Sequence, residues 1–313
     1  MNLRLRAEVL FCLKGFSMNT KHTKFFYILT SSVLLLALAF TSCVTTPVIS
    51  SEAEEDALFA PETYIPQSFD WENITDGIAY TSFTSEQAQV SYSVVRIQLD
   101  TPNLTLCAYP GDGTVVSENG AYPVRTVSDF AREHNCLVAF NTAPFDSGVT
   151  AALRGVHIAD GTVYSNGMER YAALAFTRRS DGSLRAQVIP SQTEEAIAAV
   201  LQKCRNATVL GGFFAVVTDG KAQHFAHHSY EARMGCGISA DGKTLYILMV
   251  QKTNAFRGLS YQQCAKVFIA LGCTNALEFD GGHSTELYVN GTTIKGTNPI
   301  RKQAAMAGFT LTD

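Results

Sequence analysis

The sequence predicts an α+β fold with a mixed, mostly antiparallel β-sheet core and a few flanking helices. Three observations lead there. Turn dipeptides recur along the chain, Asp-Gly at 76, 112, 160, 181, 219, 241 and 280 and Asn-Gly at 119, 166 and 290, and such pairs suit turns that need positive φ. Runs rich in β-branched and aromatic residues lie between them. Only three stretches read as helices, and they fall between hairpins instead of alternating with strands, which argues against a doubly wound sheet.

The elements follow in order. QVSYSVVRIQL (89–99) alternates Val and Ile and reads as a long strand. Thr126 to Asn135 reads as a helix, capped by Thr126 or Ser128. YAALAFT, the turn Arg178 to Ser183 and LRAQVI read as a hairpin. Gln192-Thr193-Glu194-Glu195 opens the helical run AIAAVLQKC with acids in its first turn. MGCGIS, the turn Ala240 to Lys243 and TLYILMV form a second hairpin. Ser260 opens the helix YQQCAKVFIALG, with Gln263 as capping-box partner and Gly272 as the stop. Asn275 to Asp280 then reads as a strand entering the core.

Composition bounds the function. With 313 residues, 46% hydrophobic and 17% charged, the chain is neither disordered nor collagen-like nor a polytopic membrane protein. It is long enough for one large or two small globular domains. Net charge is -4, and beyond Cys43 there are 19 Lys+Arg against 27 Asp+Glu, a net of -8. An acidic body argues against nucleic acid as a partner. No GxGxxG follows a strand and no GxxxxGK[ST] is present, so nucleotide-cradling loops are unsupported and no cofactor is expected.

Residues 1–43 read as an address. From Met18, a candidate start after an upstream extension, a short basic segment leads to the 16-residue apolar run Phe25 to Phe40 and then Thr41-Ser42-Cys43. The run is short for a membrane span, which needs about 20 residues. The ending resembles a bacterial lipoprotein cleavage site, with Cys43 becoming the lipid-bearing N-terminus, although Phe40 stands where an aliphatic residue is usual. This predicts a lipid anchor in the bacterial envelope, with plain secretion and an uncleaved single-span anchor as alternatives. Residues 44–68, rich in Thr, Ser, Glu, Ala and Pro, read as a flexible tether, leaving 69–313 as the domain. Six cysteines remain there without CxxC spacing, so no zinc ribbon or thioredoxin-type site is supported. They read as small buried hydrophobes, although an exported protein can oxidise some of them.

The strongest chemical feature is Asn275-Ala-Leu-Glu-Phe-Asp-Gly-Gly-His-Ser-Thr285. On a strand, Glu278 and Asp280 would share a face, with Cα atoms roughly 6–7 Å apart. Paired carboxylates can split into an acid and a base or nucleophile. Gly281-Gly282 permit a sharp turn and close approach to a ligand. The N–H groups of Gly282, His283 and Ser284 could receive an anion. The plain alternative is an Asp-Gly turn ending a strand, with Glu278 in a salt bridge. Three more patches could converge there: Asn141 ending LVAFN, the pair Gly211-Gly212, and Arg233 leading a strand. Read blandly, these are a turn residue, a bulge and a surface ion pair. His283 could donate to a phosphate oxygen or shuttle a proton. His224, His227 and His228 form HFAHH in what reads as a solvated loop, so no metal site is expected. A metal held by Asp280 and His283 is the weaker alternative.

In order, LVAFNTAPF, Ser165-Asn166-Gly167, LGGFFAVVTDG, ARMGCGIS, TLYILMV leading to Gly258-Leu259-Ser260, and ALGCTNALEFDGGHST resemble the phosphodiester glycosidase family over roughly residues 124–312. Asp280, Gly281, Gly282, Ser284, Asn141 and Arg233 match its pattern. Two departures stand out. After the matching Asn141, Thr142-Ala143 stand where the family usually has Gly-Gly and Pro144 precedes the aromatic Phe145, and Glu278-Phe279 replace Asn and Leu before the final Asp-Gly-Gly. The resemblance implies hydrolysis of a sugar-1-phosphodiester in an envelope or extracellular glycan, releasing sugar and a phosphomonoester. On that reading Asp280 serves the anomeric centre or the activated water. Arg233 and the Gly282–Ser284 amides hold the phosphate, Asn141 binds a sugar hydroxyl, and Glu278 assists as acid/base or by orienting Asp280. The alternatives are an inactive glycan-binding or scaffolding lipoprotein and a metal-dependent phosphodiesterase.

Overall fold

The computed structural model describes residues 60–111, 113–114, 122–146, 151–226 and 229–312. The signal segment with Cys43, most of the expected tether, and His227 and His228 lie outside those residues. No helix among the described residues is long and apolar enough to cross a membrane.

Three sheets surround one core, and every pairing between their strands is antiparallel. The largest runs in the order Glu72–Thr75, Ile78–Ser85, Val90–Gln98, Thr244–Val250, Arg233–Ile238, Asn275–Glu278, Ala215–Thr218, Lys221–Ala222. A second runs Thr162–Ser165, His157–Ala159, Thr208–Gly211, Ala173–Arg178, Leu184–Ile189. The third runs Thr292–Lys295, Glu286–Val289, Val138–Asn141, Met306–Leu311, Leu104–Tyr109. The two hairpins expected from the sequence are both present, as Ala173–Arg178 with Leu184–Ile189 and as Arg233–Ile238 with Thr244–Val250. Gly77, Gly161, Gly182, Gly220, Gly242 and Gly291 all sit at positive φ, as their turn dipeptides require.

Strand alternation divides the side chains. Met234, Cys236, Leu277 and Phe279 point into the core shared with Val138, Phe140, Leu210 and Phe309 of the other sheets. One helix covers the outer face of each sheet. Tyr261–Ala270 packs Cys264, Val267 and Phe268 on the large sheet, Glu194–Lys203 packs Val200 on the second, and Val127–Glu133 packs Phe130 on the third. Their caps are those the sequence offers. The Thr126 and Thr193 hydroxyls accept from Asp129 and Ala196 N–H groups, and Ser260 with Gln263 completes a capping box.

The ordered domain starts earlier than composition indicates. Within the expected tether, Pro61–Tyr64 forms a short helix, Tyr64 is fully buried, and its carbonyl accepts from the Tyr92 hydroxyl at 3.0 Å. One aromatic side chain with a burial site outweighs the polar composition around it.

Candidate active site

The strand expected over 275–280 ends at Glu278, because the chain there passes from one sheet to another. The Glu278 N–H donates to Phe214 and the Phe279 N–H to Met234, both in or beside the large sheet. The Asp280 N–H donates instead to the Thr142 carbonyl, 3.0 Å away at the end of the third sheet. Asp280 therefore stands at the seam between two sheets, and it no longer shares a strand face with Glu278.

Asn141 fixes that seam. Its Nδ2 donates to the Asp280 carbonyl at 2.7 Å, and its Oδ1 accepts from the Glu286 N–H at 3.1 Å. Fully buried and bonded at both ends, it holds backbone where the sequence predicts a contact to a sugar hydroxyl. Glu286, also buried, accepts from the Val127 and Ser128 N–H groups at the start of the Val127–Glu133 helix, where helix amides favour a carboxylate.

The Asp280 side chain is 10% exposed. Its Oδ2 accepts from the Ser284 hydroxyl at 2.5 Å and from Arg301 Nη2 at 2.6 Å. Arg301 Nε donates to the same Ser284 oxygen at 2.7 Å, closing a ring of three side chains. Burial raises the Asp280 carboxyl above its ordinary range, although Ser284, Arg301 and the Gly281 N–H each favour the charged form. The turn that follows is unusual among the Asp-Gly pairs. Gly281 is extended, and a Cβ there would lie 2.7 Å from the Ala232 carbonyl oxygen, whereas Gly282 takes φ +58° with open space beside it.

Arg301 was not singled out from the sequence. It lies in an Asn/Pro-containing loop, 17 residues past Ser284, where nothing local marks it. Its N–H donates to the His283 carbonyl, and its carbonyl accepts from Gln303. Its guanidinium lies 4.4 Å above the Phe145 ring, a favourable stacking for arginine. Phe145 belongs to the loop that departs from the family pattern.

Glu278 occupies different surroundings. It is fully buried, and neither of its oxygens has a hydrogen-bond partner. Its carboxyl packs over Gly235, where a Cβ would come within 3.2 Å of Cδ. Burial pushes its pKa up to about 8, with the Arg233 charge and the adjacent Cys264 thiol, too poorly aligned for a full hydrogen bond, pulling the other way. The two carboxyls of the expected acid/base pair have separate surroundings: Glu278 faces Cys264 of the Tyr261–Ala270 helix, and Asp280 sits at the seam.

Arg233, expected to hold the phosphate, is tied to the chain itself. It is 6% exposed, and Nε donates to the Leu259 carbonyl while Nη2 donates to the Ser229 carbonyl and hydroxyl. The Tyr261 ring lies 4.0 Å from its guanidinium. Most of its donors are committed to the chain, and its charge sits beside buried Glu278. The amides proposed for an anion are largely committed too, since the Gly282 N–H donates to Ala232 and the Ser284 N–H to Gly281. His283 is exposed at the rim. Gly211 and Gly212 serve packing: a Cβ would meet the Val156 carbonyl at 2.5 Å and Leu277 at 2.6 Å respectively.

The model of the phosphodiester glycosidase family matches residues 134–309, which include Asn141, Arg233, Asp280, Ser284 and Arg301. The chain belongs to that family. Among solved structures it is similar to the catalytic domain of zebrafish N-acetylglucosamine-1-phosphodiester alpha-N-acetylglucosaminidase, auto-inhibited by its pro-peptide. That likeness has TM-score 0.58 and 21% identity, over 77% of this chain and 86% of that one. It is also similar to a hypothetical protein from Synechocystis, with TM-score 0.59 and 14% identity, over 78% of this chain and 64% of that one. The chain thus spans 64% of the Synechocystis protein. At these identities the likeness shows the fold. No curated protein matches.

Proposed function

We propose that the chain hydrolyses the glycosidic bond of a sugar-1-phosphodiester, with Asp280 as the carboxylate that serves the anomeric carbon or its attacking water. The observation that carries this is the Asp280 carboxyl itself. Ser284 and Arg301 both bind Oδ2, so neither of these side chains occupies Oδ1. A phosphomonoester leaves readily, so the site must chiefly stabilise an oxocarbenium-like centre and phosphate charge. One oriented carboxylate with nearby donors supplies the first. Glu278, sealed from solvent, acts through structure.

The lipoprotein-like ending at Cys43 supports an envelope location and an envelope or extracellular glycan as the substrate. Full-length protein incubated with an N-acetylglucosamine-1-phosphodiester in H₂¹⁸O tests the reading. Free sugar carrying ¹⁸O and an unlabelled phosphomonoester, lost in Asp280→Asn and indifferent to chelator, is the expected result. Label in the phosphate would mean phosphorus–oxygen cleavage and would replace the glycosidase with a phosphodiesterase. No product from a panel of sugar-1-phosphodiesters would leave a glycan-binding protein.

A further inference from the structure

We propose that Arg301 is the cation that receives the substrate's phosphate, so that the same guanidinium orients Asp280 and selects an anionic leaving group. This rests on the phosphodiester glycosidase reading and deepens it. Two arginines lie near the Asp-Gly-Gly turn, and their commitments differ. Arg233 is buried and spends Nε and Nη2 on Leu259 and Ser229. Arg301 is 36% exposed, and only Nε and one Nη2 bond are used, on Ser284 and Asp280.

A guanidinium has five N–H donors in one plane. With Nε and one Nη2 hydrogen committed, both Nη1 hydrogens and the second on Nη2 remain. Those donors form the outer edge, the geometry that grips a phosphate with two parallel hydrogen bonds. Phe145 supports one face of the plane, and the backbone is fixed on both sides by His283 and Gln303. The cation is therefore placed before substrate arrives and costs little to organise.

The charge argument points the same way. A phosphodiester carries one negative charge, and a carboxylate at the anomeric carbon repels it. A guanidinium bonded to the carboxylate and to the phosphate offsets that repulsion. As the sugar–oxygen bond breaks, both bonding electrons pass to the bridging oxygen and the phosphate gains a second negative charge. Arg301 meets that added charge, so its contact is stronger in the transition state than in the ground state. A neutral glycoside gains nothing from it.

Arg301→Gln and Arg301→Lys would be compared with wild type on two substrates of one sugar, a 1-phosphodiester and a neutral aryl glycoside. Binding of the methyl phosphodiester and of the neutral methyl glycoside to Asp280→Asn, with and without Arg301→Gln, gives a second readout. Arg301→Gln should lower kcat/KM on the diester by about 10²–10³-fold, the scale of losing one transition-state donor. It should lower aryl-glycoside turnover at least tenfold less than diester turnover and weaken the anionic ligand selectively. Arg301→Lys should recover part of the diester activity. Equal losses on both substrates, or equal weakening of both ligands, would reduce Arg301 to a positioning residue for Asp280 and overturn the proposal. So would a diester-selective loss in Arg233→Gln with none in Arg301→Gln. If wild type cleaves and binds no diester, the activity itself is wrong.

Discussion

Glu278→Gln should change how stability depends on pH, by an amount the structure allows us to work out. The carboxyl is fully buried without a hydrogen-bond partner, and its pKa rises from 4.5 to about 8. Its polar surroundings are Arg233 on the neighbouring strand, Cys264 and Tyr261 on the covering helix, and Cys236. The folded chain keeps a proton that the unfolded chain sheds from its ordinary pKa upward. Stability from this group is therefore full in acid and falls as pH rises through the window from the unfolded to the folded pKa. Across pH 5 to 8 the loss comes to about 3–4 kcal/mol, at ~1.4 kcal/mol per unit. Glutamine keeps the shape and cannot titrate, so any fixed cost of its amide drops out of the pH trend. The gap in Tm, mutant minus wild type, should widen by about 10 °C between pH 5 and 8. Thermal melts by circular dichroism at half-unit steps would measure it. A gap that stays constant across that range would refute the buried, unpaired carboxyl.

Other expectations follow from the same geometry. Asn141→Ala leaves the Asp280 carbonyl and the Glu286 N–H without their partner, costing about 1–3 kcal/mol; a melt should show it, with turnover falling as Asp280 loses its anchor. Gly281→Ala places a Cβ 2.7 Å from the Ala232 carbonyl oxygen, so it should be far more disruptive than Gly282→Ala, which costs about 1–2 kcal/mol for its left-handed backbone; melts of the two variants would rank them. The cysteines 107 and 136 are free, but Gly308 lies opposite Cys107 in the ladder and a Cβ on it would be 2.6 Å from Cys136 Sγ. Residues opposite one another share a face, so a small-molecule disulfide such as oxidised glutathione should link this pair, taking up their two hydrogens. Peptide mapping would show a single 107–136 bridge, and Tm should rise in line with about 3–4 kcal/mol for closing a loop of this length.

The legible parts of the fold were those decided within a few residues. Thr126, Thr193 and Ser260–Gln263 mark helix starts because capping bonds reach only two or three positions along the chain. The hairpins at 173–189 and 233–250 were legible for the same reason: their turns are local. The site was only half legible. Its centre, Asp280-Gly281-Gly282, is contiguous, but Arg301 comes from 21 residues downstream of Asp280 and Asn141 from 139 upstream. Arg301 sits in a loop without periodicity, so nothing but folding places it. Arg233 shows the converse: an arginine leading a strand suggests a ligand, and folding gives its Nε and Nη2 to carbonyls at 259 and 229. A two-residue spacing on a strand shares a face and so suggests Glu278 as a partner for Asp280. That rule lapses once the strand ends between them.

The change of sheet at Phe279–Asp280 also sets what the carboxylate is sensitive to. Its amide is tied to Thr142 and its neighbour's to Met234, so the side chain is aimed by the distance between two sheets, and that distance is set by their packed interior. Phe140 and Phe279 meet there with ring centres 5.9 Å apart. Volume changes at such interior rings therefore re-aim the carboxylate without touching substrate. If Asp280 acts as proposed, reaction rate would respond to core packing alongside the melting temperature.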